Sequence, residues 1–226
     1  MVTKELLRQV IYEQRALEKE PSVEREALKQ QTDDPEITVI SGVRRCGKSV
    51  LMQQIRSKRE EQDYSLAFDD DRLLHFTSDD FQTLCEVFAE DFGPQHSYYL
   101  DEVQLIEGWE RFVERLYRQH DKVYVTGGNA FMLSREMGTL LTGRHLTTEL
   151  YPMSLSEYAD LKVIAWEPQD FHTTTGRAKL LNMQNGYLKD GGFPQYLQTG
   201  NPRYLRELYN DIIYRDIVVR HKLPSD

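Results

Sequence analysis

Residues 42–49 read Gly42-Val43-Arg44-Arg45-Cys46-Gly47-Lys48-Ser49 and fit the pattern Gly-x-x-x-x-Gly-Lys-Ser/Thr at every fixed position. The apolar, β-branched run Ile37-Thr38-Val39-Ile40 precedes them, and Val50-Leu51-Met52-Gln53-Gln54-Ile55 follows at helical spacing. That order constrains the fold more than any other feature of the chain: a strand, a tight loop and a helix in immediate succession. Glycine at 42 and 47 lets backbone N–H groups approach an anion with no Cβ in the way, and the helix beginning near Lys48 adds its N-terminal partial charge. Lys48 brings a full charge to β- and γ-phosphates, and the Ser49 hydroxyl suits a Mg²⁺ ion. The loop residues Gly42, Val43, Arg44, Arg45, Cys46, Gly47, Lys48 and Ser49, with Val50 after them, are the candidate nucleotide contacts.

The rest of the chain alternates strands and helices. Strands are predicted at 64–68, 97–100, 122–126 and 144–150, with helices at about 78–92 and 109–120 and a helix or loop over 131–142. In the helix from Trp109, the residues Phe112, Val113, Leu116 and Tyr117 share a face with it. Ser78 or Asp79 is the expected N-cap of the 78–92 helix. This pattern predicts an α/β fold, a P-loop NTPase with a five-stranded parallel sheet sandwiched by helices. Beyond Tyr151 the strand signal fades and helices are predicted at 156–163, 175–189 and 202–220, a small helical subdomain. The division expected is an N-terminal helical segment (1–34), a P-loop core (35–160) and a helical lid-like part (161–226).

Asp101 closes the hydrophobic strand Tyr98-Tyr99-Leu100, one strand and two helices after the loop. A carboxylate there can hold Mg²⁺, and Glu102 beside it can polarise an attacking water. The bland alternative is that Asp-Glu merely opens a polar loop. Asn129, after the fourth predicted strand, is a candidate contact to a γ-phosphate or water, or simply a turn residue. Arg144 is either a transition-state arginine offered to a neighbouring subunit or a solvated loop residue. Cys46 is either a reactive thiol near a helix N-terminus or a filler position.

Composition narrows the partners. The chain has 226 residues, 39% hydrophobic and 29% charged, with a net charge of −9. The acidic balance argues against nonspecific nucleic-acid binding by the body of the protein. No run of 18 apolar residues occurs and the first residues lack the apolar core of a signal peptide. Two cysteines, Cys46 and Cys85, agree with a reducing compartment, so a cytoplasmic protein with no membrane partner is expected.

Taken together, Ser41–Ser49, Phe68-Asp69-Asp70-Asp71-Arg72-Leu73, Leu100-Asp101-Glu102-Val103-Gln104 and Gly108-Trp109-Glu110 resemble the AAA-type prokaryotic ATPases of the AAA_14 group. Thr126-Gly127-Gly128-Asn129, Leu141-Thr142-Gly143-Arg144, Tyr151-Pro152-Met153-Ser154, Gly191-Gly192-Phe193-Pro194 and Tyr214-Arg215-Asp216-Ile217 extend the resemblance from about residue 3 to the end. It implies that Lys48 and Ser49 form the first nucleotide motif, Asp101 and Glu102 the second, and Asn129 the polar sensor, with Arg144 and Arg215 completing the site. Gly128 departs from the serine usual there. The resemblance also implies ATP and Mg²⁺ as cofactors and a C-terminal domain beyond Ile217, so a truncated chain is expected. Three functions stay open: an ATPase driving a conformational switch, alone or as a homo-oligomer, on DNA or a protein partner; a nucleotide-gated binding module; and a small-molecule kinase. No Asn-Lys-x-Asp guanine-reading segment occurs, which disfavours a GTPase.

Overall fold

A computed structural model describes residues 1–17, 22–30, 34–59, 63–127 and 141–214. The chain divides into two compact units, residues 1–42 with 48–150 and residues 43–47 with 151–226.

The first unit is built on five parallel strands: β1 (Ile37–Gly42), β2 (Tyr64–Ala67), β3 (Ser97–Asp101), β4 (Lys122–Thr126) and β5 (His145–Leu150). Their order across the sheet is β2-β3-β4-β1-β5, with every pairing parallel. Parallel strands need crossovers, and four helices supply cover: α1 (Lys4–Leu17), α2 (Lys48–Ser57), α3 (Asp80–Phe92) and α4 (Trp109–Arg118). Alternation along the strands separates two faces. Tyr98, Leu100, Val123 and Val125 join Leu7, Val10 and Ile11 of α1, Leu84 and Phe88 of α3, and Trp109 and Phe112 of α4 in one core. The intervening Tyr99 and Tyr124 stack face to face at 4.7 Å, and α2 contacts β1, β3 and β4. The α4 face read from the sequence is the face that is buried.

Two local devices hold α1 in place, one on the edge of the sheet and one on α3. The Gln14 side chain donates to the Ala67 carbonyl at 3.0 Å and accepts from the Ala67 N–H at 2.9 Å, which satisfies backbone groups of the edge strand β2. At the other end of the helix, the buried Asp80 carboxylate accepts from the N–H of Val2 and of Thr77 at 2.9 Å each. Asp79 occupies the expected N-cap position, but with helical backbone angles and no side-chain cap bond; the side chain of Asp80, the first helical residue, instead accepts from the N–H of Thr77 before the helix. Burial pushes the Asp80 carboxyl up, but the Thr77 and Val2 N–H bonds outweigh it and bring it below its ordinary range.

The second unit contains α5 (Leu155–Leu161), α6 (Thr174–Asp190), α7 (Pro194–Thr199) and α8 (Pro202–Asp211). Ser154 and Glu157 form a reciprocal capping box at the start of α5. A Cβ on Gly192 would lie 2.4 Å from the Met153 carbonyl oxygen, and Met153 N–H donates to Gly192 at 2.7 Å. The close backbone pairing of these two turns thus requires glycine. Helix α7 was not expected from the sequence, where Gly191–Pro194 reads as a loop; Pro194 instead opens it as its first helical residue. The predicted 202–220 helix is described only to Tyr214.

Candidate nucleotide site

Strand register assembles the site. Ile40 pairs with Thr126, and Leu100 with Val125, so β1, β4 and β3 end side by side at Gly42, Thr126 and Asp101. The crevice outside the carboxyl ends of parallel strands is where such sheets bind ligands. Lys48 and Ser49 open α2 immediately after the loop. Lys48 is buried to 5% exposure, and its ammonium donates to the Gly42 carbonyl at 3.2 Å. The loop itself is tightly turned: Cys46 N–H donates to Val43 at 3.4 Å, and Arg45 and Gly47 have φ of 65° and 99°. Position 47 is thus in the region where glycine carries no steric cost. Cys46 is fully buried, which fits the filler reading better than that of an accessible reactive thiol.

At the strand ends, side chains converge on Asp101. The Ser49 and Thr126 hydroxyls both donate to its carboxylate. Burial pushes the Asp101 carboxyl up, the two hydroxyls pull it back, and the neighbouring Glu102 and Asp69 carboxylates push it up again. A cation at Asp101 and Ser49 would relieve that crowding of negative charge. The fit to Mg²⁺ is chemical: a carboxylate and a hydroxyl, hard oxygen donors in contact with one another. Among the described residues no group of three or more His, Cys, Asp or Glu suits a metal, and Mg²⁺ needs none, because it is held by one or two carboxylates with phosphate oxygens and water completing the shell.

Glu102 stands beside this pair in an unusual conformation. Its φ of 52° and ψ of 34° are left-handed, a strained state for a residue with a Cβ. The Glu102 N–H donates to the Thr126 hydroxyl at 3.0 Å, so one hydroxyl holds both the Asp101 carboxylate and the Glu102 backbone. The Glu102 carboxylate accepts from Gln104 Nε2 at 2.5 Å. Thr126 and Gln104 are the functional residues that reasoning from the sequence missed. Both lie within quoted motifs, but their contacts depend on strand register and on a left-handed turn.

Arg144 is not part of this cluster. It immediately precedes β5, whose first residue pairs with Ile37 and whose last pairs with Gly42. Arg144 therefore lies at the opposite end of the sheet from Gly42, where it forms an ion pair with Glu114 at 2.5 Å. Asn129 and Arg215 lie outside the described residues.

The topology and the loop define a P-loop α/β fold. The AAA_14 family, described as an AAA domain, matches residues 34–159, and the chain belongs to it. An uncharacterized protein of Methanocaldococcus jannaschii is 32% identical over 194 residues, covering 84% of this chain and 43% of its own length. One from Haemophilus influenzae is 32% identical over 200 residues, covering 81% of this chain and 46% of its own. The chain thus spans less than half the length of these relatives. A Walker-type ATPase of Pyrococcus abyssi superposes with a TM-score of 0.47 and 16% identity over 90% of this chain and 79% of that one.

Proposed function

We propose that this chain is an AAA-type ATPase that binds ATP with Mg²⁺ and hydrolyses it to ADP and phosphate to drive a conformational switch. The observation that carries the reading is the convergence of Ser49, Asp101, Glu102 and Thr126 beside the start of α2. Lys48 would exchange its Gly42 carbonyl for phosphate oxygens. Ser49 and Asp101 would hold Mg²⁺, which neutralises charge developing on the phosphates. Glu102 accepts a proton from the attacking water, its backbone fixed by Thr126 and its carboxylate by Gln104. Asn129 is retained as a candidate polar contact and Arg215 as a candidate arginine of the site, both by resemblance.

Arg144 lies at the opposite end of the sheet from its own Gly42, so a role in hydrolysis would require the site of a neighbouring copy; the alternative is a structural residue held by Glu114. The proposed active form is a homo-oligomer, in which case the isolated chain binds nucleotide and turns it over slowly. DNA or a protein remains the proposed target of the switch. The reduced cysteines Cys46 and Cys85 suit the proposed cytoplasmic location. Among the described residues no helix is long and apolar enough to cross a membrane.

The test is Mg²⁺-dependent phosphate release from ATP, followed against protein concentration with and without DNA. Specific activity is expected to rise with concentration in the wild type and to stay low in Arg144→Ala. Activity independent of concentration, and unchanged in Arg144→Ala, would refute the assembled site.

A further inference from the structure

We infer that the groove between the first turns of α3 and α4 is where two copies of this chain meet, each seating Leu105 in the groove of the other. The inference names a face for the homo-oligomer proposed above and does not depend on Arg144.

The groove has a volume of about 990 Å³ and runs between the turn before α3 and the start of α4. Three contacts set the two helices side by side from a common end. Ser78 Cβ lies 3.7 Å from where a Cβ on Gly108 would be, Phe81 stacks on Phe112 at 4.1 Å, and Gln82 accepts from Arg115 at 3.2 Å. Aromatic rings of Phe76, Phe81 and Phe112 line the floor, and Leu105, 57% exposed, stands on the rim. A lone exposed leucine means little. One beside an aromatic floor with charges around it has the anatomy of an interface, an apolar centre inside a polar rim.

The rim charges identify the occupant. Asp79, Glu107 and Glu110 gather at the shared start of the helices, and the exposed Arg111 and Arg115 lie farther along α4. Glu114 makes the ion pairs of α4, with Arg118 and Arg144; among the described residues none of the five rim groups is in one. Carboxylates suit helix starts, but the dipole does not explain an exposed leucine among them. Both signs on one rim argue against an occupant of a single charge: a nucleic-acid strand meets the carboxylates, and a basic peptide meets the arginines. A second copy satisfies both. Turned about a two-fold axis, it sets its Arg111 and Arg115 against Asp79 and Glu107 and its Leu105 over the aromatic floor, and the contact is reciprocal. Leu105 N–H donates to the Glu102 carbonyl at 3.1 Å, so the partner bears on the turn that carries the proposed proton acceptor.

The test is sedimentation of the chain at low salt without nucleotide, followed against protein concentration. The wild type is expected to pass from monomer to dimer, with weaker association in high salt. Arg111→Glu combined with Arg115→Glu sets like charges against each other, and association should weaken by about 10²-fold or more. Asp79→Lys combined with Glu107→Lys should do the same. Mixed together, the two double variants should regain association, because each then meets its complement. Leu105→Asp changes an exposed side chain and should stay monomeric, which reads the face even if a double variant folds poorly. A wild type that is monomeric at every concentration, a Leu105→Asp protein that associates like the wild type, or folded double variants that show no recovery on mixing would each overturn the inference. Self-association that survives all of these substitutions would refute this face alone and leave the homo-oligomer standing. A wild-type monomer whose ATP turnover is independent of concentration would refute the assembly reading with it.

Discussion

Replacing Thr126 with valine removes one hydroxyl and little else, so it isolates the latch between the second nucleotide motif and the fourth strand. Thr126 is fully buried, and valine fills the same volume without a cavity. Two bonds are lost. One is the O–H donated to the Asp101 carboxylate, and hydrogen bonds to charged groups contribute about 1.5–3 kcal/mol. The other is the bond accepted from Glu102 N–H, worth about 1 kcal/mol. The expected loss is roughly 2.5–4 kcal/mol, or about 5–15 °C in melting temperature for a chain of this size. The loss should depend on pH. Burial already pushes the Asp101 carboxyl up, and the Thr126 donor favours its ionised form. The penalty is therefore full where Asp101 is ionised and shrinks as pH falls through its raised folded-state value. The assay is thermal denaturation without nucleotide at neutral pH and near about pH 4, with Thr126→Ser as the variant that keeps the hydroxyl. A Thr126→Val protein as stable as the wild type at neutral pH, or a serine variant as weak as the valine one, would refute the latch.

Two further outcomes follow from the same geometry. Lys48→Ala should abolish the rise in melting temperature that ATP gives the wild type, because a ligand stabilises the fold only in proportion to its binding; an unchanged rise would remove Lys48 from the site. Acid should loosen α1 from the edge of the sheet. Asp70 is held at about 2, chiefly by Arg72, and its partners Gln14 and Glu13-bound Arg72 tie it to α1. A depressed folded value means that this stability is present above the unfolded value of about 3.9 and is lost as pH falls from there toward about 2. Denaturation followed by circular dichroism should show a shallower acid limb in Asp70→Asn, and an identical limb would contradict the assignment.

Much of the core was legible in the residues. The loop motif between a β-branched run and a helical one specified β1 and α2, and the acidic pair after Tyr98-Tyr99-Leu100 specified the end of β3. The contacts that complete the site were not legible, because they are set by register and by single backbone angles. Thr126 reaches Asp101 only because Leu100 pairs with Val125. Glu102 meets Gln104 after adopting a left-handed conformation that no propensity favours for glutamate. Gln14 reads as one more polar residue of an amphipathic helix until the edge of β2 is found beside it. Leu17 keeps the apolar spacing of Leu7, Val10 and Ile11 in α1 and yet is 79% exposed, since spacing alone does not say where along a helix its packing partner ends.

The central claim, that Asp101 and Ser49 hold the metal while Glu102 activates water, is tested most directly by a single-turnover trap. Wild-type and Glu102→Gln protein, each in excess over ATP with Mg²⁺, are incubated, separated from free nucleotide and analysed for what they retain. The substitution keeps the volume of the side chain and leaves Asp101 in place while removing the proton acceptor, so the wild type should carry ADP. Glu102→Gln should carry intact ATP, with turnover slower by about 10²-fold or more. ADP appearing equally fast on both proteins would contradict the account, as would a Glu102→Gln protein that retains no nucleotide at all.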